Sequence, residues 1–276
     1  MGIFDNTYLL SDLDGTLLDS NAEISYENRK ALEYFMNNGG LFSFATGRNV
    51  NGMKYFMNEI PANAPGVVSN GAVIYDFPND RVIKAFPVGA FGEKLAGAVM
   101  EEFPDVGIEV LMHDGSHVIR ENEITRLHIK YTKMPYYIES ADKISKPWIH
   151  MLLCREPSKI KELELFVKQR FGDHLFFQYS AEFFIEVLIK GVNKGTSAVA
   201  AANILGIKPD SLYTAGDGQN DVELIRCTKN AFAPKNSHED VLKLSPGLLP
   251  SNDEHPIAAL ISIIEERKRN ERTDIR

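Results

Sequence analysis

Two aspartates that stand two residues apart, Asp12 and Asp14, are the first residues of the sequence whose types and spacing suggest chemistry. They follow the apolar stretch 7–11, which is typical of a buried strand. In an open α/β sheet, ligands bind beyond the carboxyl ends of the strands, so both carboxylates are predicted to face that crevice. Two neighbouring carboxylates ionise together only at a large cost unless a cation or a shared proton lies between them. The pair therefore suggests a nucleophile that is assisted by a metal ion.

The same segment allows two other interpretations. A calcium-binding loop also begins with alternating aspartates, and Glu23 stands at the twelfth position of such a loop. However, Leu17 occupies the position where this loop needs glycine, and a strand rather than a helix precedes the segment, which disfavours calcium binding. A plain turn at Asp14 and Gly15 stays open while the segment is taken alone. The motifs that follow favour the metal-assisted nucleophile.

A second acidic motif, GDGQND at 216–221, follows the predicted strand 211–215. Taken alone, Gly-Asp-Gly is an ordinary turn. Together with the first pair, however, Asp217 and Asp221 would bring four acids to one edge of the sheet, accompanied by the carboxamide of Asn220. Hard oxygen ligands without histidine favour Mg²⁺ as the divalent cation that neutralises them.

Two residues between these motifs suggest a phosphate group as the ligand. Thr46 ends the predicted strand 41–45, and Lys194 opens an alanine-rich helix predicted over 193–205. A threonine hydroxyl and a helix N-terminus both bind phosphate readily. The helix dipole disfavours a lysine in the first turn, and such a lysine is normally on the surface. Its placement indicates that a positive charge is needed there, to offset the carboxylates and hold a phosphoryl oxygen.

The elements that must position these residues alternate between strand and helix in the first and last thirds of the chain. The predicted strands are 7–11, 41–45, 66–68, 211–215 and 231–233; the predicted helices are 26–38, a stretch through Met53 and Phe56, 193–205, 239–243 and one from 256 onward. This alternation predicts right-handed crossovers and a parallel, doubly wound sheet. A hairpin is predicted at 73–75 and 81–83.

The middle of the chain has a mixed α+β pattern instead. Helices are predicted at 91–103 and 158–171, strands at 108–112, 149–154, 175–179 and 183–189, and a strand–turn–strand at 112–117. The sequence therefore predicts a core formed by residues 1–84 and 190–276, interrupted by an inserted α+β domain at 85–189.

The composition narrows the range of partners. The 276 residues carry a formal net charge of −8, so no nucleic-acid footprint or affinity for an anionic membrane is expected. Cys154 and Cys227 lie far apart and do not have a metal-binding spacing. No basic, apolar leader opens the chain, and no apolar run approaches the roughly 20 residues of a membrane span. A cytoplasmic protein is expected, and no pattern indicates an oligomeric state.

Four motifs in this order carry a resemblance to a known family. They are DLDGTL at 12–17, ATGR at 45–48, GVNKG at 191–195 and GDGQND at 216–221. Together they resemble the motifs of the haloacid dehalogenase superfamily, and more narrowly the Cof-type sugar phosphatases of its subfamily IIB. The segment SNGA at 69–72 also resembles the segment that precedes the cap in that group. The resemblance spans the chain and implies a Rossmann-like core with an inserted α+β cap domain of type C2B.

The resemblance also implies roles for individual residues. Asp12 would be the nucleophile and Asp14 the general acid and base, while Thr46 and Lys194 would bind the transferring phosphoryl group. Mg²⁺ would be held by the Asp12 carboxylate, the Asp14 backbone carbonyl and Asp217. Supporting positions are Asp221 and Asn220, which would orient metal-bound water or the lysine, and Gly47, Arg48 and Asn70, which would contact the substrate or the cap.

The function implied is a Mg²⁺-dependent phosphomonoester hydrolase that acts on small phosphorylated metabolites, with sugar phosphates as the expected class. A phosphotransferase or phosphomutase on the same scaffold is an alternative, and it would need a cap that shields the aspartyl-phosphate from water. A non-catalytic sugar-phosphate-binding regulator is a third, although a binder needs no general acid. The chain departs from the family pattern at 234–237, where Lys235 and Asn236 are expected to alter contacts on the metal side or cap docking.

Overall fold

A computed structural model describes residues 2–132, 134–245 and 247–274. In chain order the elements are β1 (Tyr8–Ser11), α1 (Tyr26–Asn37), β2 (Leu41–Phe44), α2 (Val50–Glu59), β3 (Gly66–Val68), β4 (Val73–Asp76), β5 (Arg81–Ala85), α3 (Gly89–Glu102), β6 (Gly107–Leu111), β7 (Ser116–Arg120), α4 (Glu123–Thr132), β8 (Tyr136–Ile138), β9 (His150–Cys154), α5 (Pro157–Phe171), β10 (Leu175–Ala181), β11 (Phe184–Ile189), α6 (Lys194–Ile204), β12 (Leu212–Ala215), α7 (Val222–Arg226), β13 (Ala231–Pro234), α8 (Glu239–Leu244), β14 (Gly247–Leu249) and α9 (Pro256–Asp274).

The central sheet is parallel, with strand order β14-β13-β12-β1-β2. In the register, Ser11 lies opposite both Phe44 and Ala215, so β1, β2 and β12 end at one level. The predicted parallel core is therefore confirmed. It brings the segments after these three strands to the same edge, where an open α/β sheet binds its ligands.

The third predicted strand, β3, joins the central sheet through one parallel bridge between Ala45 and Val67. Otherwise β3 pairs antiparallel with β4, and β4 with β5, in a three-stranded sheet. The hairpin predicted at 73–75 and 81–83 is thus confirmed. Its last strand leads the chain into the inserted part.

The inserted part is built on a six-stranded sheet of order β10-β11-β9-β6-β7-β8, whose neighbouring strands are antiparallel except for β7 and β8. One face of this sheet packs against α3 and α5 in an apolar core that includes the fully buried Trp148. We call this part the cap. The division at 84/85 and 189/190 stays a prediction.

Several elements were not predicted from the sequence, namely α4, β8, α7 and β14. The predicted strands and helices are otherwise present, with small shifts at their ends. None of the helices in the described residues combines the length and the apolar character that crossing a bilayer requires.

Candidate active site

The first two carboxylates follow β1, as predicted. Asp12 is almost fully buried at the end of the strand, whereas the Asp14 side chain is partly exposed. Gly15, directly after Asp14, adopts a φ of +76°, and a Cβ added to this residue would lie 2.4 Å from Oδ2 of Asp217. Only glycine fits this position. Thr16 then donates a hydrogen bond of 2.6 Å from Oγ1 to Oδ1 of Asp217, which fixes the second acidic loop against the first.

The loop after β2 contributes Thr46, Gly47 and Arg48. The guanidinium of Arg48 donates two hydrogen bonds to Asp14, from Nε to Oδ2 at 2.8 Å and from Nη2 to Oδ1 at 2.7 Å. Such a bidentate pair fixes both side chains in one orientation. The buried Oγ1 of Thr46 accepts a hydrogen bond from the backbone N–H of Arg48, so its own hydroxyl proton is directed elsewhere.

Lys194 is the first residue of α6 and has no solvent exposure. Asn193 caps the helix through a reciprocal pair of hydrogen bonds with Thr196, which orients the first turn. The ammonium group of Lys194 then donates to Oδ1 of Asp12 at 3.0 Å and to Oδ1 of Asp221 at 2.7 Å. A buried lysine in the unfavourable first turn is held there by two carboxylates.

The loop after β12 holds the second acidic pair. Asp221 is fully buried, and its Oδ2 accepts hydrogen bonds from the backbone N–H groups of Asp217 and Gly218 at 3.1 and 3.0 Å. Asp221 therefore shapes its own loop while its other oxygen contacts Lys194. Carboxylate oxygens of Asp12, Asp217 and Asp221 all lie within 4.8 Å of one another, close enough to hold one metal ion.

The electrostatics of this cluster are dominated by excess negative charge. Burial and the carboxylate of Asp221 raise the pKa of Asp12 well above its usual range, although Lys194 opposes them. Burial and Asp221 likewise raise the pKa of Asp217 to about 7. For Lys194, burial lowers the pKa, but the two neighbouring carboxylates outweigh it and raise the pKa, so the group stays protonated. A single ammonium does not balance three carboxylates, and this deficit suits a divalent cation.

Asn70 lies between the loop after β2 and the loop after β12. Its backbone has φ +54°, the left-handed region, and its Oδ1 accepts a hydrogen bond of 2.9 Å from Nδ2 of Asn220. A Cβ added at Gly47 would lie 3.1 Å from Nδ2 of Asn70, so the amide packs over the glycine. Within the described ranges this buried Nδ2 has no hydrogen-bond partner. A buried donor without a partner suggests that a ligand supplies the acceptor.

The structure thus gathers Asp12, Asp217, Asp221 and Lys194 into one cluster and joins Arg48 to Asp14 beside it. Sequence reasoning did not identify Thr16, whose position five residues after the end of β1 gave no separate signal. It did flag Asn236, which donates from Nδ2 to the backbone oxygen of Gly15 at 2.8 Å and so supports the first acidic loop. The amides of Asn49 and Asn51, which contact the cap, were also missed.

A protein-family model described as haloacid dehalogenase-like hydrolase matches residues 9–261. A putative phosphatase from Buchnera aphidicola subsp. Baizongia pistaciae is 26% identical, with 94% of this chain and 98% of that protein covered. The 5-amino-6-(5-phospho-D-ribitylamino)uracil phosphatase YwtE of Bacillus subtilis is 24% identical, with 91% and 95% covered. A crystal structure of a haloacid dehalogenase-like hydrolase from Bacteroides thetaiotaomicron superposes with a TM-score of 0.82 at 22% identity, with 94% of this chain and 99% of that one covered.

Proposed function

The chain belongs to the haloacid dehalogenase-like hydrolase family, and we propose that it hydrolyses phosphomonoesters of small metabolites through an aspartyl-phosphate on Asp12. The names of the two relatives described above, which refer to phosphatase activity, support the proposal. The observation that carries the proposal is the fully buried Lys194, which bridges Asp12 and Asp221 beside Asp217. A buried cation among three carboxylates is costly for stability, and such arrangements cluster at catalytic sites.

In the proposed first step, a carboxylate oxygen of Asp12 attacks the phosphorus atom while the bond from phosphorus to the leaving-group oxygen breaks. Asp14 gives its proton to that oxygen, which leaves as an alcohol. In the second step Asp14 takes a proton from water, the resulting hydroxide attacks phosphorus, and the bond to Asp12 breaks. Both Asp14 oxygens accept from Arg48 here, so one of these hydrogen bonds is exchanged before the proton moves.

The donor set fits Mg²⁺. The three side chains of the acidic cluster offer carboxylate oxygens as ligands, and the raised pKa values of Asp12 and Asp217 indicate that a positive charge is lacking there. We propose that the Asp12 carboxylate, the Asp14 backbone carbonyl and Asp217 hold the ion. When bound, it would neutralise the phosphoryl oxygens and keep Asp12 ionised. The carboxylate of Asp221 accepts hydrogen bonds from Lys194 and from two backbone N–H groups, which suits a role in orienting these donors.

The transferring phosphoryl group would be bound by donors from three elements. The side-chain donors that we assign to it are the hydroxyl of Thr46, the ammonium of Lys194 and the Nδ2 of Asn70, which has no hydrogen-bond partner among the described residues. Gly47 allows the approach, since a side chain there would press on the Asn70 amide. Donors aimed at the phosphoryl oxygens supply most of the rate enhancement in this chemistry.

The leaving group would lie between the acidic cluster and the cap. Arg48 and Asn220 lie on the loops after β2 and β12, and we assign to them contacts that orient the substrate or the neighbouring side chains. A relative named for a phosphoribityl substrate supports a leaving group rich in hydroxyls, and we propose sugar phosphates and related polyol phosphates as the substrate class.

The test is phosphate release from a panel of phosphorylated metabolites, with Mg²⁺ and with EDTA. Wild type should turn over at least one sugar or polyol phosphate in Mg²⁺ and none in EDTA. Asp12→Asn should abolish turnover, whereas Asp210→Asn, an exposed aspartate paired with Lys229, serves as the matched control and should leave it intact. Turnover that survives Asp12→Asn would refute the assigned nucleophile.

A further inference from the structure

The cap contacts the core at β10, which lies beside residues 219–221, and at a short turn between β6 and β7, which we call the cap turn (residues 112–115). The side-chain Nδ2 of Asn49 donates 3.0 Å to the backbone oxygen of Met112, and Nδ2 of Asn51 donates 2.6 Å to the backbone oxygen of His113. Both asparagines belong to the start of α2, directly after the loop that carries Thr46 and Arg48. Two side-chain amides of the core thus hold two consecutive carbonyls of the cap.

Asn49 performs two tasks with one amide. Its Oδ1 accepts the backbone N–H of Gly52 at 2.9 Å, which caps α2, while its Nδ2 reaches the cap turn. The side chain is almost fully buried. Serine caps a helix as well as asparagine does, but it lacks the NH₂ group that spans the gap to Met112. The second task therefore explains an amide at this position.

The start of α2 is continuous with the proposed catalytic residues. Arg48 immediately precedes Asn49; its guanidinium pairs with Asp14, and its backbone carbonyl accepts the N–H of Ser69. Any shift of the first turn of α2 moves Arg48 relative to Asp14. Docking of the cap turn on Asn49 thus bears directly on how Asp14 is held.

The cap turn is itself braced. The N–H of Met112 donates to the carbonyl of Gly115, and Asp114 contacts Nε2 of His117 at 3.0 Å. The Nδ1 atom of the same histidine contacts Glu139 at 2.5 Å. A turn braced from two sides presents its carbonyls in a fixed orientation.

We propose that Asn49 and Asn51 are positioning residues that dock the cap turn on the core and thereby hold Arg48 against Asp14 when the cap is closed. The inference rests on the proposed function only in its effect on catalysis; docking itself is independent of it. Loss of one hydrogen bond corresponds to about a fivefold change in the docking equilibrium.

Disulfide trapping measures docking without activity. In the full chain, Asn51→Cys combined with His113→Cys places thiols on two residues that are in contact, Asn51 through its side chain and His113 through its backbone carbonyl, and the rate of cross-linking reports the docked fraction. Adding Asn49→Ser, which keeps the helix cap, should lower this rate about fivefold. Adding Ser25→Ala, which removes the cap of a different helix, α1, should leave the cross-linking rate unchanged. An equal rate with and without Asn49→Ser, or no cross-link at all, overturns the proposal.

The catalytic effect is measured on p-nitrophenyl phosphate with Mg²⁺. Asn49→Ser and Asn51→Ala should each lower kcat about fivefold to tenfold with little change in KM. Ser25→Ala should instead lower Tm by about 2–4 °C and leave kcat unchanged. Slower trapping without a loss of kcat would refute the link to Arg48. Wild type that hydrolyses no phosphomonoester would refute the proposed function, while the trapping rates would still decide the docking.

Discussion

Replacing Asp217 with asparagine should make the metal-free protein more stable. This carboxylate lies beside Asp221 and near Asp12 in a buried cluster that holds one ammonium, and burial with Asp221 raises its pKa from 3.8 to about 7. A raised pKa means that the folded state resists ionisation of the group. The loss of folding stability caused by ionising Asp217 is absent below pH 3.8, grows as the pH rises toward 7, and is complete above pH 7. Asparagine is neutral at every pH and still offers Oδ1 to Thr16.

The size of the effect follows from the pKa values. The difference between 7 and 3.8 is 3.2 pKa units, and at about 1.36 kcal/mol per unit the ionised group costs about 4 kcal/mol well above pH 7. Asp217→Asn should therefore raise the unfolding free energy in EDTA by about 3–4 kcal/mol at pH 8 and by much less at pH 4. It should also remove the stabilisation that Mg²⁺ gives to wild type, since one proposed ligand is lost.

Urea unfolding at pH 4, 6 and 8, in EDTA and in Mg²⁺, measures both effects. Asp210→Asn is the control for a general change of net charge, because that carboxylate is largely exposed and should change the unfolding free energy by under about 0.5 kcal/mol. An Asp217→Asn variant that is less stable than wild type in EDTA at pH 8 would show that the carboxylates do not repel one another as argued.

Three further changes test other parts of the site and the cap. Lys194→Met leaves the carboxylates of Asp12 and Asp221 without the cation that bridges them. The rate of phosphate release should fall at least about 10²–10³-fold, and the unfolding free energy in EDTA should fall by about 3–5 kcal/mol. Phosphate release near the wild-type rate would contradict the assigned role of the lysine. Gly15→Ala places a Cβ against Asp217 and puts alanine at a backbone φ of +76°. The substitution should lower the unfolding free energy by about 1–2 kcal/mol and abolish the rise in Tm that Mg²⁺ causes. Thermal melts with and without Mg²⁺ measure both effects. Burial lowers the pKa of His128, but its hydrogen bonds to Glu109 outweigh this and raise the pKa. The stabilisation of wild type relative to His128→Gln should therefore be full below pH 6.5 and be lost as the pH rises through the raised pKa. Urea melts in which the two proteins differ equally in unfolding free energy at pH 5.5 and pH 9 would refute this expectation.

The core of the site was largely predictable from the sequence because the position of each residue depends on the strand or helix beside it in the chain. Each acidic motif directly follows an apolar strand, and the ends of parallel strands meet at one edge. The burial of Lys194 could be anticipated from its conflict with the helix dipole. The roles assigned to these residues stay predictions, but their convergence follows from strand order alone.

The rest depends on contacts between distant segments. Helix α4 was missed because its exposed Leu127 blurs the apolar stripe, although Asn122 and Thr125 form a reciprocal cap at its start. Strand β8 has every residue exposed and therefore lacks the alternation of a half-buried strand. The pairing of Arg48 with Asp14 and the reach of Asn49 to the cap turn arise only when the segments pack.

The central position of β1 has a consequence for synthesis of the chain on the ribosome. β1 pairs with β12, whose first partner residue, Leu212, follows Tyr8 only after the whole cap has been made. At about 5–20 residues per second, some 10–40 s separate the two strands, during which one edge of an apolar strand has no permanent partner. Lys194 arrives just before β12, so Asp12 likewise waits for its counter-charge. The nascent chain therefore exposes an unpaired, aggregation-prone edge longest at the strand that precedes Asp12.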